Sequence, residues 1–196
     1  SGFGRTGKWF AVDNWGVVPD MITMAKGLTS GYVPLGAVAI SRKIMDVLDK
    51  QMLWAGLTYN AHPLACGAAI ATLKVYEEDK MFANAVAMGE VVRKETEAMK
   101  SRHKSLGDAR GLGLFWAVEL VRDKKTREPL VKWNAMGADA AAAKEINKRL
   151  LAGGVYTTVR WNYLFIVPPL CIQETELREG LKVIDQALDY ADTLAK

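Results

Sequence analysis

The chain has 196 residues, 50% of them hydrophobic and 24% charged, with a formal net charge of +4 from 26 basic and 22 acidic side chains. This is an ordinary globular balance. The basic residues are scattered without interleaved aromatics, and no stretch reaches the roughly 18 apolar residues of a membrane span, so neither nucleic-acid binding nor a membrane location is expected.

Gly2-Phe3-Gly4-Arg5-Thr6-Gly7 fits G-x-G-x-x-G letter for letter. A dinucleotide fingerprint needs a helix opening from it. Here Lys8-Trp9-Phe10 and Asn14-Trp15-Gly16 follow, which are aromatic, turn-rich and not helix-periodic. The glycines are therefore expected to permit a tight loop. A phosphate-binding P-loop is excluded too, because Gly7-Lys8 is followed by Trp9 rather than Ser or Thr.

Next comes Pro19-Asp20, then an apolar run over 21–25 with the length of a buried strand. It stops at Lys26-Gly27. A lysine at the mouth of a buried strand has two readings. It ends the strand with its head in water, or it is a desolvated amine, more readily neutral and nucleophilic. A Gly/Ser/Pro-rich loop over 27–34 and a second buried strand over 37–40 follow. Ser41 is placed as an N-cap for a short helix over 42–50, and 51–62 as a loop. Pro63 suits the first position of a long helix running to about 77. His62 packs or caps at its start. A charged break at 77–80 leads into a second helix, to about His103 at a charged helix end.

Beyond Ser105, Gly111 and Gly113 mark a tight turn and 114–120 a strand. Residues 122–134 are charged and expected as a surface loop. An alanine-rich helix over 138–151 ends at Gly153-Gly154. Residues 155–158 and 163–167 are strand-like, and Pro168-Pro169 ends the second. A closing amphipathic helix starts near Thr175, with Leu177, Leu181, Ile184, Leu188 and Ala191 on one face. The character of the chain changes near residue 80, giving units over 1–79 and 80–196. Cys66 and Cys171 fit no metal spacing, so buried reduced thiols and a cytoplasmic setting are expected.

Several pieces occur in a telling order. They are Gly2-Phe3-Gly4-Arg5-Thr6-Gly7, Lys26-Gly27, Pro34-Leu35-Gly36, Thr58-Tyr59-Asn60-Ala61-His62-Pro63-Leu64, Arg110-Gly111-Leu112-Gly113-Leu114 and Val167-Pro168-Pro169-Leu170. Together they resemble the class III aminotransferases, pyridoxal-phosphate (PLP) enzymes of fold type I that handle ω-amino groups. The resemblance implies an α/β chain: part of a large PLP-binding domain over 1–79, then a C-terminal α+β small domain over 80–196. It implies that Lys26 holds PLP as an internal aldimine and shuttles the substrate proton.

The resemblance also aligns Thr58 with a threonine that binds the PLP phosphate of the other subunit, and hence implies a homodimer or dimer of dimers with shared active sites. The other reading of Thr58 is a plain turn or cap residue. Arg160 lies where related enzymes bind the carboxylate of the oxo acid, with a strand-end salt bridge as the alternative. Loop position suggests Trp9 and Tyr32 as pocket-lining residues. The implied reaction moves an amino group from an ω-amine such as taurine or β-alanine to a 2-oxo acid such as pyruvate. Class III also includes an aminomutase and decarboxylases, which remain open. The family's acidic partner for the pyridine nitrogen precedes Ser1, so the chain is expected to be the C-terminal part of a longer enzyme and inactive alone.

Overall fold

A computed structural model describes residues 1–196. The chain divides into two compact units, Ser1–Phe82 and Ala83–Lys196.

The first unit opens with a hairpin-like loop. The Phe3 amide donates to the Trp9 carbonyl (2.6 Å) and the Gly4 amide to that of Lys8 (3.1 Å), while Gly2 bridges to Phe10. A short 3-10 turn, Ala11–Trp15, follows it and no α-helix does, so a dinucleotide-binding geometry is absent. Strands β1 (Met21–Met24) and β2 (Ala37–Ile40) pair antiparallel, from Met21↔Ile40 to Met24↔Ala37. Both are apolar, yet they are not buried as expected: Met21 is 61% exposed. A two-stranded ribbon offers its side chains no second layer.

Helix α1 spans Arg42–Leu48. Ser41 occupies its N-cap position, but its hydroxyl bonds Asp20 Oδ1 (3.3 Å) instead of the helix amides. Helix α2 spans Pro63–Glu78 with proline at its start, where a missing N–H costs nothing. The cap is His62, whose Nδ1 accepts from the Leu64 amide (3.3 Å).

Helix α3, Met81–Arg102, leads into the second unit. There β3 (Leu106–Leu112), β4 (Phe115–Asp123), β6 (Val159–Arg160) and β7 (Tyr163–Ile166) form an antiparallel sheet in the order β3-β4-β7-β6, with β5 (Glu128–Pro129) on β4. Helix α4 spans Ala141–Ala152 and α5 spans Glu174–Thr193. Alternate residues Trp116, Val118 and Leu120 of β4 face a single core. That core takes Val92 and Met99 from α3, Ile146 and Leu150 from α4, and Leu177, Leu181, Ile184 and Leu188 from α5. Each fully buried side chain of this size contributes about 1.5–3 kcal/mol. At Gly89 of α3 an added Cβ would lie 2.4 Å from the Gly113 carbonyl oxygen, so the helix seats against the β3–β4 turn only with glycine there.

Three expectations change in this unit. Residues 106–112, read without a strand, form β3; their own pattern is weak, and pairing with β4 makes the strand. Residues 122–134 are not wholly a surface loop, because Leu130 and Val131 are buried. Residues 155–158 are not a strand, although Thr157 and Thr158 bond to Phe165 across the gap. Of the cysteines, Cys66 is partly buried and Cys171 exposed; both are free thiols. No helix is long and apolar enough to cross a membrane.

His103 is not a solvated helix-end residue. It is 4% exposed, with Nδ1 2.7 Å from Asp192 Oδ2 and Nε2 3.0 Å from Asp185 Oδ1. It joins the end of α3 to α5. A neutral ring has one N–H and satisfies one carboxylate; an imidazolium satisfies both. Burial pushes the Asp185 and Asp192 carboxyls up, but hydrogen bonds from Arg102 and His103 to the first, and from Ser105 and His103 to the second, hold both below their ordinary values.

A depressed folded-state pKa stabilises above the unfolded value and stops stabilising as pH falls through the folded one. We therefore expect unfolding free energy to drop below about pH 4. Asp192→Asn should flatten that acid limb, as read from denaturant melts at successive pH values. His103→Ala should cost about 1.5–3 kcal/mol at neutral pH, the usual worth of a hydrogen bond to a charged group. Melts unchanged by both substitutions would remove this clamp from the stability of the unit.

Candidate active site

Strand β1 delivers the chain into a 3-10 turn, Lys26–Leu28, in which Lys26 itself takes a left-handed φ of 49°. Such a conformation is uncommon outside glycine and is retained only where surroundings impose it. The surroundings are specific. The buried Thr29 hydroxyl donates to the Val33 carbonyl (2.6 Å), closing the loop beyond the lysine. Tyr76 of α2 donates its hydroxyl to the Gly27 carbonyl (2.8 Å). An added Cβ at Gly27 would sit 2.7 Å from Phe3 Cβ, so Phe3 packs directly on this backbone.

Aromatic rings back the loop. Phe3 stacks on Tyr76 at 6.2 Å and meets Phe10 edge-on at 5.6 Å. Trp9 meets Phe82 edge-on at 4.6 Å and Tyr76 at 6.5 Å. Burial pushes the Tyr76 phenol above its ordinary pKa, against the opposing pull of Arg5, so it stays a donor to Gly27. Arg5 is itself lowered by burial.

The Lys26 side chain is exposed rather than buried. No carboxylate pairs with its amine, whereas Lys43 and Lys100 both hold one. The backbone is fixed and the Lys26 amine is unpaired.

The other residues singled out in sequence are placed as follows. Trp9 belongs to the aromatic cluster behind the lysine loop. Tyr32 closes the same loop, with its amide donating to the Thr29 carbonyl (3.1 Å) and its ring 84% exposed. Thr58 lies in the turn ahead of α2, exposed. Capping of that helix falls to His62, which leaves the Thr58 hydroxyl uncommitted. Arg160 belongs to the second unit, at the end of β6. It forms no strand-end salt bridge; its guanidinium carbon lies 4.4 Å from the centroid of the Trp161 ring.

Three supports of the lysine loop carry no local sign in the sequence: Phe3, Thr29 and Tyr76. Gly27 was the available signal, since a glycine directly after a lysine implies close approach by something. Tyr76 lies 49 residues from its partner Gly27 and gave no local sign.

With this geometry in hand, comparison with known proteins is direct. Residues 1–188 match the family Aminotransferase class-III. The chain is 37% identical to the 4-aminobutyrate aminotransferase of Escherichia coli over 191 residues, covering 97% of this chain and 43% of that protein. It is 36% identical to ethanolamine-phosphate phospho-lyase homolog 1 of Caenorhabditis elegans over 191 residues, covering 96% of this chain and 39% of that protein. Among solved structures, the taurine:2-oxoglutarate aminotransferase of Bifidobacterium kashiwanohense, in complex with PLP and glutamate, superposes with a TM-score of 0.91 at 40% identity, covering 98% of this chain and 42% of that one. The chain thus spans about two fifths of the length of these relatives. Family match, sequence identity and fold agree: the chain belongs to the class III aminotransferases, with the α/β architecture of PLP-dependent transaminases of fold type I.

Proposed function

We propose that the protein is a PLP-dependent transaminase moving an amino group from an ω-amine, such as taurine, β-alanine or a similar donor, to a 2-oxo acid such as pyruvate. The observation that carries this reading is the unpaired Lys26 amine, on a backbone fixed from both sides by Phe3, Thr29 and Tyr76. PLP fits the residues present. It needs a free primary amine for its carbonyl and hydrogen-bonding groups for its phosphate; Lys26 offers the first, and the uncommitted Thr58 hydroxyl one of the second.

Bound PLP supplies the electron sink. Lys26 would hold the cofactor, and its amine would take and return the proton at the substrate Cα. Arg160 grips the acceptor carboxylate with its planar fork. Tyr32, its ring exposed, borders the substrate, while Trp9 braces the lysine loop from behind. Thr58 serves the phosphate of the partner subunit's site, which requires a homodimer or dimer of dimers.

A second reading keeps the cofactor and changes the reaction to a lyase, aminomutase or decarboxylase; the identity to a phospho-lyase homologue favours it. The two readings part on the oxo acid. Incubating holoenzyme with taurine or β-alanine should yield alanine only when pyruvate is supplied. Amine consumption that proceeds equally without any oxo acid would favour the second reading. Thr58→Ala should weaken PLP binding by about 1.5–3 kcal/mol, the value of a hydrogen bond to a charged group, while leaving stability nearly unchanged. Equilibrium PLP titration of the apoenzyme checks this; an unchanged dissociation constant would leave Thr58 as a turn residue.

A further inference from the structure

The second unit commits most of its guanidinium groups to carboxylates. Arg93, Arg102, Arg110, Arg127, Arg149 and Arg178 each hold an acidic partner. Arg160 does not. Its partner is a ring face, the indole of Trp161 at 4.4 Å. The difference matters chemically. An ion pair uses the edge N–H groups of the guanidinium and neutralises it. A stacked ring uses only the face, so the charge and the fork of edge donors remain available to a carboxylate.

Trp161 is an unusual residue for its position. β6 and β7 form a hairpin with Arg160↔Tyr163 paired and only Trp161-Asn162 between them. Tight two-residue turns of this kind favour Asn and Gly, because positive φ is required. Trp161 takes a φ of 54°. The turn is anchored from behind: Asn162 is 7% exposed and its carbonyl accepts from the Leu120 amide (2.7 Å). Nothing in this backbone calls for an indole, and a bulky residue there is strained. What the position gains is the ring. The ring in turn rests on Trp133, with centroids 3.9 Å apart.

Arg160 and Trp161 line one cavity of about 440 Å³, together with Lys144, Asn147 and Thr158. No acidic side chain lines it. Two cations and no carboxylate along its lining give the cavity a potential that favours an anion.

We propose that Trp161, braced by Trp133, is the positioning residue of a carboxylate-binding shelf: it holds the Arg160 guanidinium by its face so that its edge receives the carboxylate of the oxo-acid acceptor. This rests on the reading of Arg160 given above and adds the residue that makes Arg160 competent.

The test uses holoenzyme with pyruvate and 2-oxoglutarate as acceptors. Trp161→Asn removes the ring but suits a left-handed turn, so misfolding does not confuse the result. It should raise acceptor KM about tenfold with kcat within about twofold, and leave the amine half-reaction unchanged. Trp161→Phe, which keeps a flat face, should restore most of the affinity. The near-UV circular dichroism of the Trp133–Trp161 pair should vanish in Trp161→Asn and persist in Arg160→Ala. In an Arg160→Ala background, Trp161→Asn should add nothing.

If Arg160→Ala raises acceptor KM and Trp161→Asn does not, the shelf is refuted while the role of Arg160 stands. If Trp161→Asn adds its full effect on top of Arg160→Ala, Trp161 acts independently and is no positioning residue. If neither substitution moves acceptor KM, the assignment of Arg160 falls as well.

Discussion

Lys26→Ala should lower amine transfer by about ten-thousand-fold or more, because on the proposed reading one substitution removes both the covalent hold on the cofactor and the base at the substrate Cα. Stability should stay within about 0.5 kcal/mol of the parent, since the side chain is exposed and unpaired. Alanine and lysine both carry a Cβ, so the strain of φ 49° is common to the two. Activity loss therefore cannot be charged to unfolding. Lys26→Arg should be equally inactive, as it keeps the charge and loses the nucleophile. Rates of alanine formation from pyruvate and the amine, with thermal melts run beside them, give the comparison. A Lys26→Ala enzyme that retains a tenth of parental turnover would leave Lys26 without a catalytic role.

Arg160 carries the second large effect, confined to one half of the reaction. Pyruvate and 2-oxoglutarate bear a carboxylate beside the reacting carbonyl. Taurine and β-alanine keep their acid group away from the reacting carbon. A guanidinium that grips the α-carboxylate thus serves the acceptor more than the donor. Arg160, exposed in the free protein, should lose about 2–5 kcal/mol in the acceptor half-reaction on replacement by alanine where the bound carboxylate desolvates the pair, about thirty- to five-thousand-fold. Arg160→Lys keeps charge but not the fork, and should already lose a substantial part of this. Single-turnover kinetics of each half-reaction of the complete enzyme separate the cases. Equal losses in both halves would assign Arg160 to a general structural role.

How much of this is legible in the sequence differs from residue to residue. The closing helix α5 is written plainly: Leu177, Leu181, Ile184, Leu188 and Ala191 recur at helical spacing and all five are buried. The Pro63 helix start and its His62 cap are equally local signals. β3 was not legible, because Gly107, Asp108, Arg110 and Gly111 carry no strand pattern and the strand exists through its neighbour. The exposure of β1 and β2 is not legible in the sequence, since apolar runs state what a strand would bury and not what covers it.

At the candidate site, Lys26 stands out by its sequence neighbours and by family likeness, not by any property of an isolated lysine. The supports that fix it, Phe3 and Tyr76, act across gaps in the chain of 24 and 49 residues to Gly27. Long-range contacts of that kind leave no periodic trace. His103 was misplaced for the same reason: its partners Asp185 and Asp192 arrive from the far end of the chain.

The most direct measurement is borohydride reduction of the PLP-loaded protein, followed by peptide mapping of the fixed cofactor. We expect the label on the peptide containing Lys26-Gly27, with one equivalent bound per chain and none in Lys26→Ala. Label on another lysine, such as Lys43 or Lys50, or undiminished label in Lys26→Ala, would contradict the assignment of Lys26 and with it the proposed chemistry.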